Sequence, residues 1–170
     1  IRQQMMEAAT KAAKAVNYEN AGTVEFLLDK DKNFYFMEMN TRLQVEHPVT
    51  EMVVGIDIVQ WMIRIASGAK LTVTQDRVYM HGNAIECRIN AEDAERNFLP
   101  SCGTLDFIHI PGGPCVRFDT AIYQNYTVPP YYDSMIGKLI VQARSRELAI
   151  RKMKMALSEL TINGIKHNRN

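Results

Sequence analysis

Residues 21–39 read AGTVEFLLDKDKNFYFMEM, and this stretch decides how the first part of the chain folds. Its two ends, Ala21–Leu28 and Asn33–Met39, are rich in β-branched and aromatic residues, and the four charged residues Asp29–Lys32 separate them. Two such runs on either side of a short polar segment are typical of a β-hairpin. We therefore predict two antiparallel strands here.

Two carboxylates, Glu25 and Glu38, lie one on each predicted strand. For a turn with an even number of residues, Glu25 pairs with Phe36 and Glu38 pairs with Thr23. The two acids are then diagonal neighbours on one face of the hairpin, about 7 Å apart, and Asn40 continues that face. A turn of odd length would place the two acids on opposite faces.

The surroundings of this acid pair are apolar. The side chains expected on its face are Leu27, Phe34 and Phe36, with Phe26 on the other face. Two carboxylates in such surroundings repel each other and lose hydration, and a cation or a proton relieves both effects. Two carboxylates and an amide oxygen are hard donors that suit Mg²⁺ shared with phosphate groups. The alternative is a solvated hairpin edge at which the acids pair with Lys30 or Lys32.

The segment after the hairpin, residues 38–51, reads EMNTRLQVEHPVTE and is dense in polar side chains. Arg42 could clamp a planar carboxylate or a bicarbonate ion through paired hydrogen bonds, and Glu46 could act as a general base. The alternative is that Arg42 pairs with Glu46 or Glu51 at the surface, that His47 makes a local cap and that Pro48 sets a turn.

Periodicity along the chain predicts a mixed α/β (α+β) fold with two lobes. A helix is predicted near the start, and the further elements are a helix at Ile56–Ala66 closed by Ser67-Gly68, strands at Tyr79–Asn90, Leu105–Ile110, Cys115–Phe118 and Ile136–Val141, and a helix from a Ser145 cap to Leu160. We expect a first lobe over residues 1–68 and a mainly antiparallel lobe over residues 69–170. The segment Pro111–Pro114 is predicted to be a turn, because its prolines supply no amide donors for a phosphate.

Composition excludes several classes of protein. The 170 residues are 46% hydrophobic and 23% charged, which is typical of a globular protein. The net charge of +1 gives no field for binding nucleic acid, and no apolar run reaches the length of about 20 residues that a membrane span needs. Three cysteines without a C-x-x-C pair argue against a disulfide scaffold or a zinc site and favour a reducing compartment. The first residue is Ile1 and neither end has a closing element, so we expect a fragment of a longer protein.

Four stretches of the sequence together resemble the C-terminal half of biotin carboxylase. They are AGTVEF at 21–26, the run at 38–51 quoted above, ECRINAED at 86–93 and YTVPPYYDSMIGK at 126–138. Several matches in the same order are more specific than a single motif. Other ATP-grasp enzymes, such as carbamoyl phosphate synthetase, share a Glu-x-Asn signature like residues 38–40 but not the Arg-x-Gln-Val-Glu-His continuation at 42–47.

The resemblance implies part of an ATP-grasp lobe in residues 1–68, followed by a mainly antiparallel biotin carboxylase C-terminal domain. The implied activity is that of a ligase which carboxylates carrier-linked biotin with ATP and bicarbonate, the first half-reaction of acetyl-CoA carboxylase in fatty acid synthesis. The implied cofactor is Mg²⁺ or Mn²⁺. The implied partners are biotin carboxyl carrier protein, carboxyltransferase subunits and a second copy in a homodimer, without nucleic acid or membrane, in the cytoplasm.

The resemblance also implies roles for individual residues. The positions that match the family's metal ligands are Glu25, Glu38 and Asn40. The positions that match its bicarbonate ligands are Arg42, Gln44 and Val45. Glu46 matches the base that deprotonates bicarbonate, and Arg88 matches the arginine near the biotin ureido oxygen, so that Glu46, Arg42 and Arg88 are the catalytic candidates. From spacing alone, Arg88 is a solvated strand residue beside Glu86.

Two further positions, Arg117 and Asp133, match residues near the family's dimer interface. The alternative interpretation is that both are ordinary surface charges. The glycine-rich ATP lid and the nucleotide-binding lysines of the family have no match in this sequence. We therefore expect the chain by itself not to turn over. The alternatives are a catalytically inactive dimerisation module, or the biotin carboxylase part of a propionyl-CoA or pyruvate carboxylase.

Overall fold

A computed structural model describes residues 1–169 of the chain. Its helices are α1 (Arg2–Ala15), α2 (His47–Val54), α3 (Ile58–Ala66) and α4 (Arg146–Glu159). Its strands are β1 (Thr23–Leu28), β2 (Phe34–Asn40), β3 (Asn83–Asn90), β4 (Glu92–Asp93), β5 (Leu99–Pro100), β6 (Gly103–Thr104), β7 (Phe107–His109), β8 (Val116–Thr120), β9 (Thr127–Val128), β10 (Met135–Ala143) and β11 (Thr161–Asn163). None of the helices in residues 1–169 has the length and apolar character to cross a membrane. The mixture of helices with antiparallel strands confirms the predicted fold class.

Two compact units divide the chain. The first comprises residues 1–47 and 56–78, and the second comprises residues 48–55 and those from 79 onward. These units interleave along the sequence, and the predicted domain boundary after residue 68 stays a prediction.

The first unit contains α1, the hairpin of β1 and β2, and α3. Asp57 caps α3, because its carboxylate accepts a hydrogen bond of 2.7 Å from the backbone N–H of Gln60. The helix ends at Ser67, and Gly68 follows with a φ of +88°, a left-handed conformation that glycine adopts without strain. The predicted end of this helix is therefore confirmed.

Helix α2 is an element that the sequence analysis missed. One of the two alternatives made Pro48 a turn residue, but it lies in the first turn of this helix, where a missing N–H breaks no helical hydrogen bond. Pro48 and Val53 are buried, and Val49 and Met52 are half-buried. This spacing gives α2 an apolar face, and it is the signal from which the helix could have been found.

The second unit is built on a three-stranded antiparallel sheet in the order β3–β10–β8. Helix α4 packs on one face, where Leu139 and Val141 of β10 join Met153 and Ala156 of α4 in a buried cluster. Ser145 caps α4 by accepting a hydrogen bond of 3.3 Å from the backbone N–H of Leu148, as predicted. The other face of the sheet carries Arg88 and Lys138 together with the fully buried Ile140.

His167 is a buried titratable group in the second unit, with 9% of its surface exposed. Its Nε2 atom lies 3.2 Å from the carbonyl oxygen of Ile162, and its Nδ1 accepts a hydrogen bond of 3.4 Å from the backbone N–H of Arg169. Burial lowers the pKa of His167, and the charge of Arg169 also lowers it, whereas the hydrogen bond to Ile162 acts in the opposite direction. The folded chain therefore favours the neutral ring.

This arrangement predicts a loss of stability in mild acid. Below the ordinary pKa of 6.5 the unfolded chain protonates His167 before the folded chain does. The free energy of unfolding should therefore fall as the pH decreases below that value, by up to about 1.4 kcal/mol per pH unit from this group. His167→Gln keeps a donor for Ile162 but does not titrate, so it should flatten this slope in urea unfolding. The exposed control His109→Gln should keep the slope, and an unchanged slope in His167→Gln would contradict the assignment.

Candidate functional site

The hairpin places Glu25 and Glu38 directly opposite each other on β1 and β2. Nearer the turn Phe26 pairs with Phe36, and the register then shifts by one residue between Phe26 and Glu25. The extra residue in β2 is Met37, which makes this a β-bulge. The rings of Phe26 and Phe36 lie 6.4 Å apart, so Phe26 is on the same side as Phe36, and the prediction of opposite sides was wrong.

The predicted pairing of the two strands was also wrong. The connection consists of residues 29–33, an odd number. The carboxylate of Asp29 closes it by accepting hydrogen bonds from the backbone N–H of Asn33 at 2.8 Å and from its amide at 3.0 Å, and these bonds lower the pKa of Asp29. An odd connection alone would separate the acids, but the bulge at Met37 brings them back to one face. The acids therefore form a direct pair and not a diagonal one.

Two amide side chains contact this acid pair, and an arginine contacts one of the amides. The amide nitrogen of Asn40 donates to Glu25 at 2.8 Å and to Glu38 at 3.0 Å. The amide of Gln44 also donates to Glu25, at 3.3 Å. On the other side of the Asn40 amide, Arg42 donates to its oxygen at 3.3 Å. The structure thus brings together five of the residues that the sequence singled out.

The remaining candidates in the first unit follow along the chain. Val45 is half-buried, and Glu46 is exposed in the turn that precedes α2. His47 Nδ1 lies 2.7 Å from the carbonyl oxygen of Gln44. This is a local contact of the kind that the alternative interpretation of His47 predicted. This contact holds the turn that presents Glu46 to solvent.

The second unit carries Arg88 and Asp133. Arg88 is exposed on β3, and the strand register places it opposite Lys138 of β10. Asp133 is exposed, and its carboxylate accepts a hydrogen bond of 2.8 Å from the backbone N–H of Met135.

Arg117 is part of a compact ion-pair group in the same unit. Its guanidinium donates to both carboxylate oxygens of Asp119 and to Glu51 of α2, each at 2.7 Å. The hydrogen bonds to Asp119 raise the pKa of Arg117 most, with a further contribution from Glu51. The sequence analysis missed Asp119 as a partner, although the spacing of Arg117 and Asp119 on one strand face was a usable signal. No pattern pointed to Glu51, which is 66 residues away along the chain.

The acid pair fits a divalent cation by its donor chemistry. Glu25 and Glu38 each have a carboxylate oxygen within 3.0 Å of the amide nitrogen of Asn40, whose N–H hydrogens carry partial positive charge. Within residues 1–169 no three His, Cys, Asp or Glu side chains gather as metal ligands. Mg²⁺ and Mn²⁺ prefer oxygen ligands, and two carboxylates with amide oxygens supply them. Such a set of ligands leaves coordination positions on the cation for oxygens of a bound ligand. For Asn40 to ligate a cation, its amide must turn so that the oxygen faces the acids.

Two family models match this chain. That of the biotin carboxylase C-terminal domain matches residues 86–170, and that of the carbamoyl-phosphate synthase L chain, ATP binding domain, matches residues 1–74. Biotin carboxylase 1 of Bacillus subtilis is 56% identical over 166 residues, which is 97% of this chain and 37% of the relative. The chain therefore spans about a third of the length of such relatives.

Solved structures agree with these matches. A biotin carboxylase–β,γ-ATP complex from Campylobacter jejuni superposes with a TM-score of 0.92 at 55% identity, covering 99% of this chain and 37% of that one. The biotin carboxylase domain dimer of 2-oxoglutarate carboxylase from Hydrogenobacter thermophilus, in complex with MgADP, ADP and bicarbonate, superposes with a TM-score of 0.89 at 50% identity, covering 94% and 35%.

Proposed function

Because this chain belongs to the biotin carboxylase family, we propose that it supplies the cation-binding and bicarbonate-activating residues of an enzyme that carboxylates biotin with ATP. The observation that carries the proposal is the convergence of Glu25 and Glu38 on the amide of Asn40. Two carboxylates held this close repel each other, and a cation bound between them relieves that repulsion. Carrier-linked biotin is the substrate, and the carboxylation is the first half-reaction of acetyl-CoA carboxylase.

Glu25, Glu38 and Asn40 hold Mg²⁺ or Mn²⁺ in this proposal. When bound, such a cation neutralises charge on the phosphate oxygens of ATP. Glu25 and Glu38 are paired directly across the two strands, and this pairing fixes the separation of their carboxylates. The bulge at Met37 creates the register in which they pair. These three residues thus lie on the paired strands of the hairpin and not in a loop.

The neighbouring segment holds and activates bicarbonate. Arg42 and Gln44 bind the anion with their side chains, and Val45 binds it with its backbone N–H. Glu46 removes the proton from bicarbonate. The freed oxygen attacks the γ-phosphorus of ATP as the bond to ADP breaks, which forms carboxyphosphate.

Arg88 acts on the second substrate, biotin. Its guanidinium lies near the ureido oxygen of biotin and stabilises the negative charge that develops there when the ring nitrogen loses its proton. Its exposed position on β3 leaves room for a substrate to approach.

The partners follow from the substrate in this proposal. Biotin carboxyl carrier protein presents the biotin, carboxyltransferase subunits use the product in the cytoplasm, and a second copy of the enzyme packs near Arg117 and Asp133. The final acceptor is acetyl-CoA, with propionyl-CoA or pyruvate as alternatives that another domain or subunit selects.

A chimera tests the proposal. In it, the matching 166 residues of Bacillus subtilis biotin carboxylase 1 are replaced by this chain. We expect ATP hydrolysis that depends on both bicarbonate and biotin, because 56% identity over the whole segment preserves its packing against the host. The chain by itself should show no such hydrolysis, because phosphoryl transfer depends on groups positioned around the whole nucleotide.

A folded chimera that binds ATP but does not respond to bicarbonate or biotin would contradict the proposal. The chain would then be better explained as an inactive dimerisation module, and the oligomeric state of the chimera would be measured next.

A further inference from the structure

Helix α2, which begins directly after Glu46, is held to the sheet of the second unit by an ion pair. Its Glu51 side chain is only 7% exposed, and one carboxylate oxygen accepts a hydrogen bond of 2.7 Å from Nη1 of Arg117 on β8. Glu51 and Arg117 both belong to the second unit. The ion pair therefore gives α2 a defined place against β8.

The arginine of this pair is itself held in a fixed orientation. Asp119 lies two residues after Arg117 on β8, so both side chains are on one face of the sheet. The two oxygens of Asp119 accept hydrogen bonds of 2.7 Å from Nε and Nη2 of Arg117. Such a paired contact fixes the plane of a guanidinium group. Nη1 is then left pointing at Glu51, an arrangement that a lysine could not reproduce.

The face of the sheet that carries this ion pair is closed to solvent at its centre. Ile140 of β10 pairs with Glu86 on one side and with Arg117 on the other, and it is completely buried. Both carboxylate oxygens of Glu86 are buried as well. Since α4 packs on the opposite face, the contact with Glu51 shows that α2 lies on this one. Breaking a buried ion pair by removing one partner is costly.

Backbone contacts attach the far end of α2 to the same sheet. The carbonyl oxygen of Val53 accepts a hydrogen bond of 2.7 Å from the backbone N–H of His81. The carbonyl oxygen of His81 in turn accepts one of 2.8 Å from the side-chain amide of Gln142 on β10. Two points of attachment hold a short helix against rotation, and Glu51 is the one nearer to Glu46.

The turn before α2 transmits the position of the helix to Glu46. His47 is the first residue of α2, and its backbone N–H donates a hydrogen bond of 3.3 Å to the carbonyl oxygen of Gln44. Its ring nitrogen contacts the same oxygen. Glu46 lies within this closed turn, and Glu51 is only about 6 Å further along the helix axis from His47. A shift of α2 at Glu51 would therefore move the turn.

We propose that Arg117 is a positioning residue for Glu46: through Glu51 it fixes α2, and with α2 the turn that carries the base for bicarbonate. This inference rests on the proposed role of Glu46. Without Arg117, α2 loses the attachment nearer to Glu46. The Glu46 carboxylate then spends less time in the geometry that proton transfer from bicarbonate requires.

A double-variant cycle in the chimera described above tests the proposal at saturating substrates. Arg117→Met should lower kcat about tenfold or more, because a misplacement of about 1 Å can cost up to about 10²-fold. The KM for ATP should stay within about threefold. In the Glu46→Gln background the same substitution should lower kcat by no more than about twofold, because the group that Arg117 positions is already lost. General damage to the fold would lower kcat by the same factor in both backgrounds.

Conservative and control variants complete the set. Glu51→Gln keeps an oxygen that accepts from Arg117 and should hold kcat within about threefold of the parent, whereas Glu51→Met should match Arg117→Met. The matched control is Arg151→Met, at an exposed arginine of α4, and it should have no effect. A kcat of Arg117→Met within about twofold of the parent, or an equal loss in both Glu46 backgrounds, would overturn the proposal.

Amide hydrogen exchange tests the positioning without turnover. In the 170-residue chain, Arg117→Met should speed exchange of the backbone N–H groups of His47 and Gly55, at the two ends of α2, about tenfold or more. Exchange at Ala149 in α4 should change less than about threefold. An inactive parent chimera, or a Glu46→Gln chimera with normal kcat, would count against the proposed function. Unchanged exchange at both ends of α2, or equal acceleration at Ala149, would count against the role of Arg117.

Discussion

Glu46→Gln should lower the kcat of the chimera by about 10²–10⁴-fold, the range found when a general base is removed. The substitution keeps the size and shape of the side chain but removes its ability to accept a proton from bicarbonate. Glu46 is exposed in the turn before α2, so the change should disturb packing little. ADP release in the presence of bicarbonate and biotin measures the effect, and the KM for ATP should stay within about threefold because Glu46 is not assigned to the nucleotide.

The matched control for this experiment is Glu19→Gln, an exposed glutamate in the first unit to which no role is assigned. It should leave kcat within about twofold of the parent. A Glu46→Gln chimera with nearly normal kcat would show that another group deprotonates bicarbonate, and the assignment of the segment at 42–46 would have to change.

Leu139→Ala should lower the free energy of unfolding of the chain by about 2–5 kcal/mol. Leu139 is completely buried at the centre of β10, where it lies between Cys87 of β3 and Phe118 of β8 and packs against α4. The substitution removes apolar contact on all of these sides and leaves a cavity that rigid strands cannot close. Urea unfolding followed by circular dichroism measures the loss.

The control is Leu99→Ala, because Leu99 is 58% exposed on the short strand β5. It should change the free energy of unfolding by no more than about 0.5 kcal/mol. Equal losses in the two variants would mean that Leu139 of β10 is not at the centre of the buried cluster beneath α4.

The hairpin illustrates how far the sequence could predict the site. Composition predicted both strands and drew attention to Glu25, Glu38 and Asn40, and the structure brings these side chains together. The register could not be predicted, because it depends on two departures from ideal geometry that cancel. One is the loop closed by Asp29, and the other is the bulge at Met37. Neither has a strong local signature.

The ion-pair group around Arg117 is a part of the structure that the sequence could not predict. Its contact with Glu51 joins residues that are distant in sequence and lie on different kinds of element. Periodicity reports which face of an element is apolar but not which charged residues meet on the polar face. The placement of Arg88 opposite Lys138 became visible only from the pairing of β3 with β10.

The most direct test of the central claim is Mn²⁺ binding to the chimera in the presence of ADP, followed by the loss of the free-ion signal in electron paramagnetic resonance. The account predicts that Glu25→Gln and Glu38→Gln each weaken Mn²⁺ binding about tenfold or more, because each removes one of two charged oxygen ligands. Glu19→Gln should bind like the parent. If Mn²⁺ binds equally tightly after both hairpin carboxylates are replaced, the hairpin is not the cation site and the proposed function loses the observation on which it rests.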